Sequence, residues 1–129
     1  MNFPEGLKYT NDHEWIRVED DGSVTIGVSE YATENLGDIV FVELPQLESS
    51  IAKGESCGVI ESVKAVSDIF SPVDGIVTEV NDLLTSTPEI LSEDAYNEGW
   101  IFKCQTNDIS SINELMEKDA YEKFVEELS

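Results

Sequence analysis

Six short runs of β-branched and aromatic residues, each closed by turn residues, constrain this chain most. VTIGV (24–28), IVFVEL (39–44), SCGVIES (56–62), VSDIF (66–70), GIVTEV (75–80) and WIFKC (100–104) read as strands. Such side chains suit a pleated, half-buried surface. The DDG at 20–22 reads as a turn between WIRV and VTIGV. Helices are confined to short pieces. SEYATENLG opens on a capping serine, Ser29, and stops at Gly37. Thr87-Pro88 reads as a cap followed by proline at the first helical position. In DAYEKFVEEL, Tyr121, Phe124, Val125 and Leu128 recur at i, i+3, i+4 and i+7, one apolar face for docking on the sheets. Many short strands without a long helix predict a mainly β protein, a small sandwich or partly closed barrel. LGDIVFVEL and PVDGIVTEV share a faint pattern that a quasi-repeat about a two-fold axis would produce.

With 129 residues the chain fits one domain spanning 1–129. Its balance of seven basic to 28 acidic residues gives a net charge of −21. That charge repels phosphates and anionic lipid, so neither nucleic acid nor membrane is expected as a partner. It suits positively charged protein surfaces, or simply a solvated surface that resists aggregation. No stretch is long and apolar enough to span a bilayer. The opening MNFPEGLKYTNDHEW has no basic or apolar signal region and is not Arg-rich. A cytoplasmic location in a bacterial-type cell is expected, or the mitochondrial matrix for a mature imported form. Cys57 and Cys104 lie in apolar runs and are expected to be buried free thiols. With His13 they make no zinc site. No nucleophile–base pair, metal cluster or phosphate loop points to an enzyme.

ESVKAVSD, residues 61–68, sets one lysine among valines and an alanine. Lys64 is the only cation between Lys53 and Lys103, a stretch holding ten carboxylates. Val59–Val63 and Val66–Phe70 read as paired strands, which leaves Lys64 and Ala65 for the turn. Neither Gly nor Asn supplies a positive φ, so a type I turn is expected over the primed types. Lys64 is either the first or the second central residue, and in both cases it stands at the hairpin tip. An edge lysine can discourage strand-to-strand aggregation. It can equally be the amine that a modifying enzyme reads, because a tip meets a second protein with few steric conflicts. Acidic neighbours favour the ammonium form, so attachment would need an enzyme that removes the proton.

GVIESVKAVSDIFSPVDGIVTEVN resembles the lipoyl-attachment segment of the glycine cleavage system H-protein family. LKYTNDHEWIRVEDDGSVTIGVSEYATENLGDIVFVELP, NDLLTSTPEILSEDAYNEGWIFK and LMEKDAYEKFVEEL follow the same family pattern in the same order, from about Leu7 to Phe124. Glu61 stands three residues before Lys64 and Gly75 eleven after, the spacings of lipoylated domains. Biotin carriers place methionines on both sides of the lysine, and here Val63 and Ala65 stand there. Ala95 replaces a usual proline, and Cys57 lies in a variable strand; neither touches the attachment segment.

The resemblance implies a non-catalytic carrier. Its fold would be a barrel-sandwich hybrid of two small antiparallel sheets, with the attachment hairpin at about 56–75 and a C-terminal helical segment at about 112–128. Lys64 would carry lipoate in amide linkage, with Glu61 and Gly75 read by the lipoate-attaching enzymes. The arm would take the aminomethyl group of glycine from the decarboxylase, the P protein, to the aminomethyltransferase, the T protein. The dihydrolipoamide dehydrogenase, the L protein, would reoxidise it. A monomer is expected. A loaded arm should fold into a cleft that excludes water. Glu14 of the HEW region is the candidate acceptor there, against its reading as a solvated strand carboxylate; His13 and Trp15 can be packing residues. An alternative within the resemblance is a lipoyl relay that donates lipoate to 2-oxoacid dehydrogenase subunits.

Overall fold

The computed structural model describes residues 2–107 and 109–128. These form the strands β1 (Lys8–Tyr9), β2 (Glu14–Val18), β3 (Ser23–Val28), β4 (Ile39–Glu43), β5 (Ser50–Ile51), β6 (Ser56–Ser62), β7 (Val66–Phe70), β8 (Gly75–Val80) and β9 (Phe102–Gln105). The helices are α1 (Glu30–Leu36), α2 (Leu83–Ser86), α3 (Ile90–Glu93), α4 (Ile109–Asn113) and α5 (Lys118–Leu128). One sheet has the order β1-β2-β3-β9-β8-β5 and the other β4-β6-β7, all pairs antiparallel. The expected class, two small antiparallel sheets with short helices and a C-terminal helix, is the observed one. β4 and β8, the two quasi-repeat segments, fall in different sheets.

Period-two alternation sets the layers. Across the Asp20–Gly22 turn, Val18 pairs with Val24, Ile16 with Ile26 and Glu14 with Val28. One face of this hairpin therefore carries Ile16, Val24, Ile26 and Val28 into the core, where Ile60 and Ile69 of the small sheet join them. The opposite face carries Trp15, directly across from Gly27. A Cβ on Gly27 would lie 2.5 Å from the indole, so only glycine lets Trp15 cross the strand. The indole N–H then donates to the Ala95 carbonyl at 3.0 Å.

Trp15 belongs to a second, aromatic core with Phe3, Tyr9 and Tyr121. Here α5 docks. Tyr121 stacks on Tyr9 with centroids 4.5 Å apart and planes at 4°. The apolar face of α5 is shorter than its spacing predicts: Tyr121 and Val125 are buried and Phe124 is half-buried, but Leu128 is 50% exposed. It seats on the aromatic cluster that Tyr9 of β1 and Trp15 of β2 form on the face of the large sheet away from the main core, so it docks on a sheet as expected. The expected segment 112–128 is two helices, interrupted where Met116 exchanges backbone hydrogen bonds with Tyr9 at 2.8 and 3.1 Å.

Local signals elsewhere fare unevenly. Ser29 caps α1 by accepting from Ala32, and Gly37 ends it at φ 80°. The helix expected to begin at Pro88 begins at Ile90, whose N–H donates to the Thr87 carbonyl. Cys104 is buried, whereas Cys57 is only partly so; both are free thiols.

Candidate functional site

The β6–β7 hairpin places Lys64. Glu61 pairs with Val66, and the Ser62 N–H donates to the Ala65 carbonyl at 2.8 Å. The turn therefore runs Ser62–Ala65 with Val63 and Lys64 at its centre, which decides between the two registers the sequence left open. Lys64 is the second central residue. Ser62 closes this register with its side chain. Its Oγ accepts from the N–H groups of Lys64 at 3.3 Å and Ala65 at 3.0 Å, as serine does in side-chain turns. No residue of the turn has a positive φ, in keeping with the unprimed turn. The Val63 N–H donates to the Asp38 carbonyl at 3.1 Å, which ties the tip to the segment after α1. The Lys64 side chain is exposed, and among the described residues no carboxylate forms an ion pair with it. A pinned backbone thus presents a free amine.

Glu61 lies in the adjacent cross-strand row, between Phe41 of β4 and Val66 of β7. It is half-buried on the outer face of the small sheet. Gly75 sits elsewhere. It pairs with Ile51, and a Cβ there would lie 2.5 Å from the Gln105 carbonyl oxygen. Close packing of β8 on β9 therefore demands glycine at 75, whatever else reads it.

Glu14 is not a solvated strand carboxylate. The alternation that buries Ile16 turns Glu14 to the same side, at the open end of the sandwich, and leaves it 2% exposed. Its Oε1 accepts from Thr10 Oγ1 at 2.7 Å and its Oε2 from the Phe70 N–H at 3.3 Å. Burial pushes its pKa up from 4.5 to about 7; the Thr10 bond opposes this, Asp12 adds to it, and the Phe70 bond opposes it. The carboxylate backs a cleft of about 350 Å³ lined by Thr10, Asp12, Lys53, Ser71, Pro72 and Leu115 among others. Cys57 lies nearby. Burial first, and then the charges of Glu14 and Cys104, raise its thiol to about 12, so it stays protonated.

Lys64 and Glu14 stand toward opposite ends of β7. Four residues from Val66 to Phe70 span roughly 13 Å at 3.3 Å each. A lysine side chain lengthened by a medium-length acyl chain covers a comparable distance.

His13 and Trp15 serve packing. His13 adopts φ 70°, a conformation that costs a non-glycine residue about 1 kcal/mol or more. It is held there by hydrogen bonds. Its N–H donates to the Thr10 carbonyl, its carbonyl accepts from Ser29, and Nδ1 meets the Tyr121 hydroxyl at 2.8 Å. That hydroxyl also meets Ser29 Oγ at 2.7 Å. Burial lowers the His13 pKa, against a smaller opposing effect of Asp12, so the ring is neutral at pH 7. The network fixes the turn that carries Glu14. Sequence reading missed Ser62, Thr10 and Tyr121 in these roles. For Ser62 the signal was present, a serine two residues before the tip.

Among the described residues no cluster of His, Cys, Asp or Glu is arranged to hold a metal ion. No helix among them is long and apolar enough to cross a membrane.

Two antiparallel sheets with a lysine presented on a tight hairpin define the class of lipoyl-type carrier domains. Comparison with known proteins narrows this. The family model described as glycine cleavage H-protein matches residues 7–128, and the chain belongs to that family. It is 53% identical over 121 residues to the glycine cleavage system H protein of Teredinibacter turnerae, covering 94% of this chain and 93% of that one. It is 48% identical over 126 residues to that of Shewanella loihica, covering 98% of each. The crystal structure of the H protein from Mycobacterium marinum superposes with a TM-score of 0.86 at 37% identity, over 94% of this chain and 97% of that one.

Proposed function

We propose that this chain is a single carrier domain that bears lipoate on Lys64 and moves the aminomethyl group of glycine from the P protein to the T protein, with the L protein restoring the arm. The observation that carries the reading is the juxtaposition of a stapled tip presenting one unpaired amine with a buried carboxylate one strand length away. When attached, lipoate supplies a dithiolane that can accept and release the one-carbon unit; the protein supplies presentation and shelter. In this reading Ser62 and Asp38 hold the tip still, and Glu61 beside it is read by the lipoate-attaching enzyme. Gly75 serves recognition through the strand geometry it permits. Glu14 accepts a cationic load in the cleft, where water is scarce and a charge-assisted bond contributes about 1.5–3 kcal/mol. A tether makes each visit to a docked partner effectively intramolecular, at local concentrations of about millimolar.

Intact-mass measurement of the protein from cells fed lipoate tests the reading. One lipoyl group, mapped by peptide analysis to Lys64, is expected. Lys64→Arg keeps the fold and abolishes the mass increment. Unmodified protein from cells with active lipoylation enzymes, or modification at Lys53 or Lys103, refutes it.

A further inference from the structure

Large apolar side chains are unevenly distributed on the surface. Among the described residues nine of them are at least 40% exposed, and four of the nine surround the tip: Val40, Phe41, Val63 and Val66. The other five fall one each on β2, the 44–49 loop, β8, α2 and α5. Register makes the cluster contiguous. Phe41, Glu61 and Val66 form one cross-strand row, and Val63 neighbours Lys64 in the turn. The next row on that face is Glu43, Val59 and Asp68. The patch is thus apolar beside Lys64 and acidic behind it. Exposed apolar side chains grouped inside a polar rim mark contact sites, whereas scattered ones do not.

We propose that this patch is the docking surface for the enzyme that acylates Lys64, and that its partner surface is an apolar shelf flanked by Lys or Arg. The inference rests on the carrier reading above. Reach selects the occupant. The acylating enzyme must bring its active site to Nζ, only a lysine side chain from the turn backbone, so it cannot avoid covering Val63 and Val66. Enzymes that act on the far end of a completed arm can work without touching the tip. Charge complementarity fixes the rim, because Glu43, Glu61 and Asp68 call for cations opposite them.

Covering the patch also prepares the chemistry. Apolar contact excludes from the tip the water that would otherwise compete with Nζ for the acyl donor. The ammonium gives one proton to a base of the enzyme, and the resulting amine attacks the carbonyl carbon of an activated lipoyl donor, an acyl adenylate. A second proton leaves nitrogen for the same base, once it has passed the first to solvent, as the tetrahedral adduct collapses. The amide bond forms, and AMP leaves with the electrons of the broken C–O bond.

The test is acylation of the apoprotein by a purified lipoate–protein ligase with lipoate and ATP, followed by intact mass. The double variant Phe41→Ser with Val66→Ser is expected to lower kcat/KM roughly tenfold, mainly through KM, as removal of two anchors from an interface does. Val63→Ser, with its side chain 70% exposed, lowers it less and leaves the melting temperature unchanged. Asp68→Lys also lowers it, and Ile76→Ser and Leu128→Ser leave it at the parent value. No acylation of the parent protein overturns the carrier reading and the patch together. Parent-like rates for both the double variant and Val63→Ser overturn the patch alone. So does normal acylation of the double variant joined to a raised KM for the decarboxylase, which would assign the patch to that enzyme.

Discussion

Glu14 should make the protein less stable as pH rises through neutrality, and removing its charge should abolish that loss. The carboxyl titrates near 4.5 in the unfolded chain and at about 7 in the fold, because burial disfavours the anion. Below 4.5 both states hold the proton and Glu14 is neutral in its effect. Between 4.5 and 7 the unfolded chain releases the proton while the fold retains it, so stability falls with pH. Above 7 the loss is complete. At about 1.36 kcal/mol per pH unit the span from 4.5 to about 7 amounts to about 3 kcal/mol. For a chain of this size that is a shift of about 10 °C in Tm. Glu14→Gln has no proton to release. Its amide replaces one acceptor oxygen with a donor beside the Phe70 N–H, which adds a fixed offset, so the change with pH carries the test. Urea unfolding of both proteins at pH 4.5 to 8 should show the variant gaining about 3 kcal/mol relative to the parent. Asp12, His13 and Cys57 are present in both and cancel in the difference. Parallel curves would refute the burial argument. The sign carries over to function. A cation docked against Glu14 favours the carboxylate, so a loaded arm should bind its cleft more tightly as pH rises through about 7.

Two further outcomes are expected. The apparent KM of the decarboxylase for this protein should rise with salt, since a net charge of −21 steers docking and exposed charges are screened within about 8–10 Å at 0.1–0.15 M; a KM that ignores salt counts against steering. Gly75→Ala should lose about 1–3 kcal/mol of stability in urea, because its Cβ meets a backbone carbonyl that cannot swing away. If that variant, still folded at low temperature, is lipoylated at the parent rate, glycine at 75 serves packing and not recognition.

What was legible in the sequence was whatever depends on near neighbours along the chain. VSDIF and GIVTEV begin and end where their turn residues say, and Ser29 and Gly37 bound α1 because a cap needs only adjacent groups. β1 and β5 have two residues each, too few to show a period; β5 exists only through its distant partners Gly75 and Ile76, and β1 is held between nearby β2 and distant Met116. The break between α4 and α5 arises from the same cause, since Met116 leaves the helix to pair with Tyr9. At the site, Lys64 was legible from its isolation among acids. The burial of Glu14 was within reach too. Pairing WIRV with VTIGV across the DDG turn sets Glu14 opposite Val28 and on the side of Ile16. The reading as a solvated carboxylate took residue type over alternation, and alternation won.

The placement of the two charges follows one physical logic. In the proposed function Lys64 meets several enzymes, and it stands where the backbone is pinned and the side chain is not, on a turn closed by Ser62 and anchored to Asp38. In the proposed function Glu14 holds a cation without holding water, and its position suits that role, because packing has already removed the solvent there. That position destabilises the fold at neutral pH, and a docked ammonium relieves the same penalty. On that reading the two effects are one free energy seen from two sides: the folded state gives up stability in forming a partly ionised, buried carboxyl pocket, and would regain it when a loaded arm docks there. A carboxylate left in water would destabilise nothing and would discriminate little between loaded and unloaded arms. The surrounding rigidity is then necessary, because a pocket that could open would hydrate Glu14 and discharge the difference. The His13–Tyr121–Ser29 network and the stacked Tyr9 supply it, which gives the aromatic core under α5 a reason beyond stability.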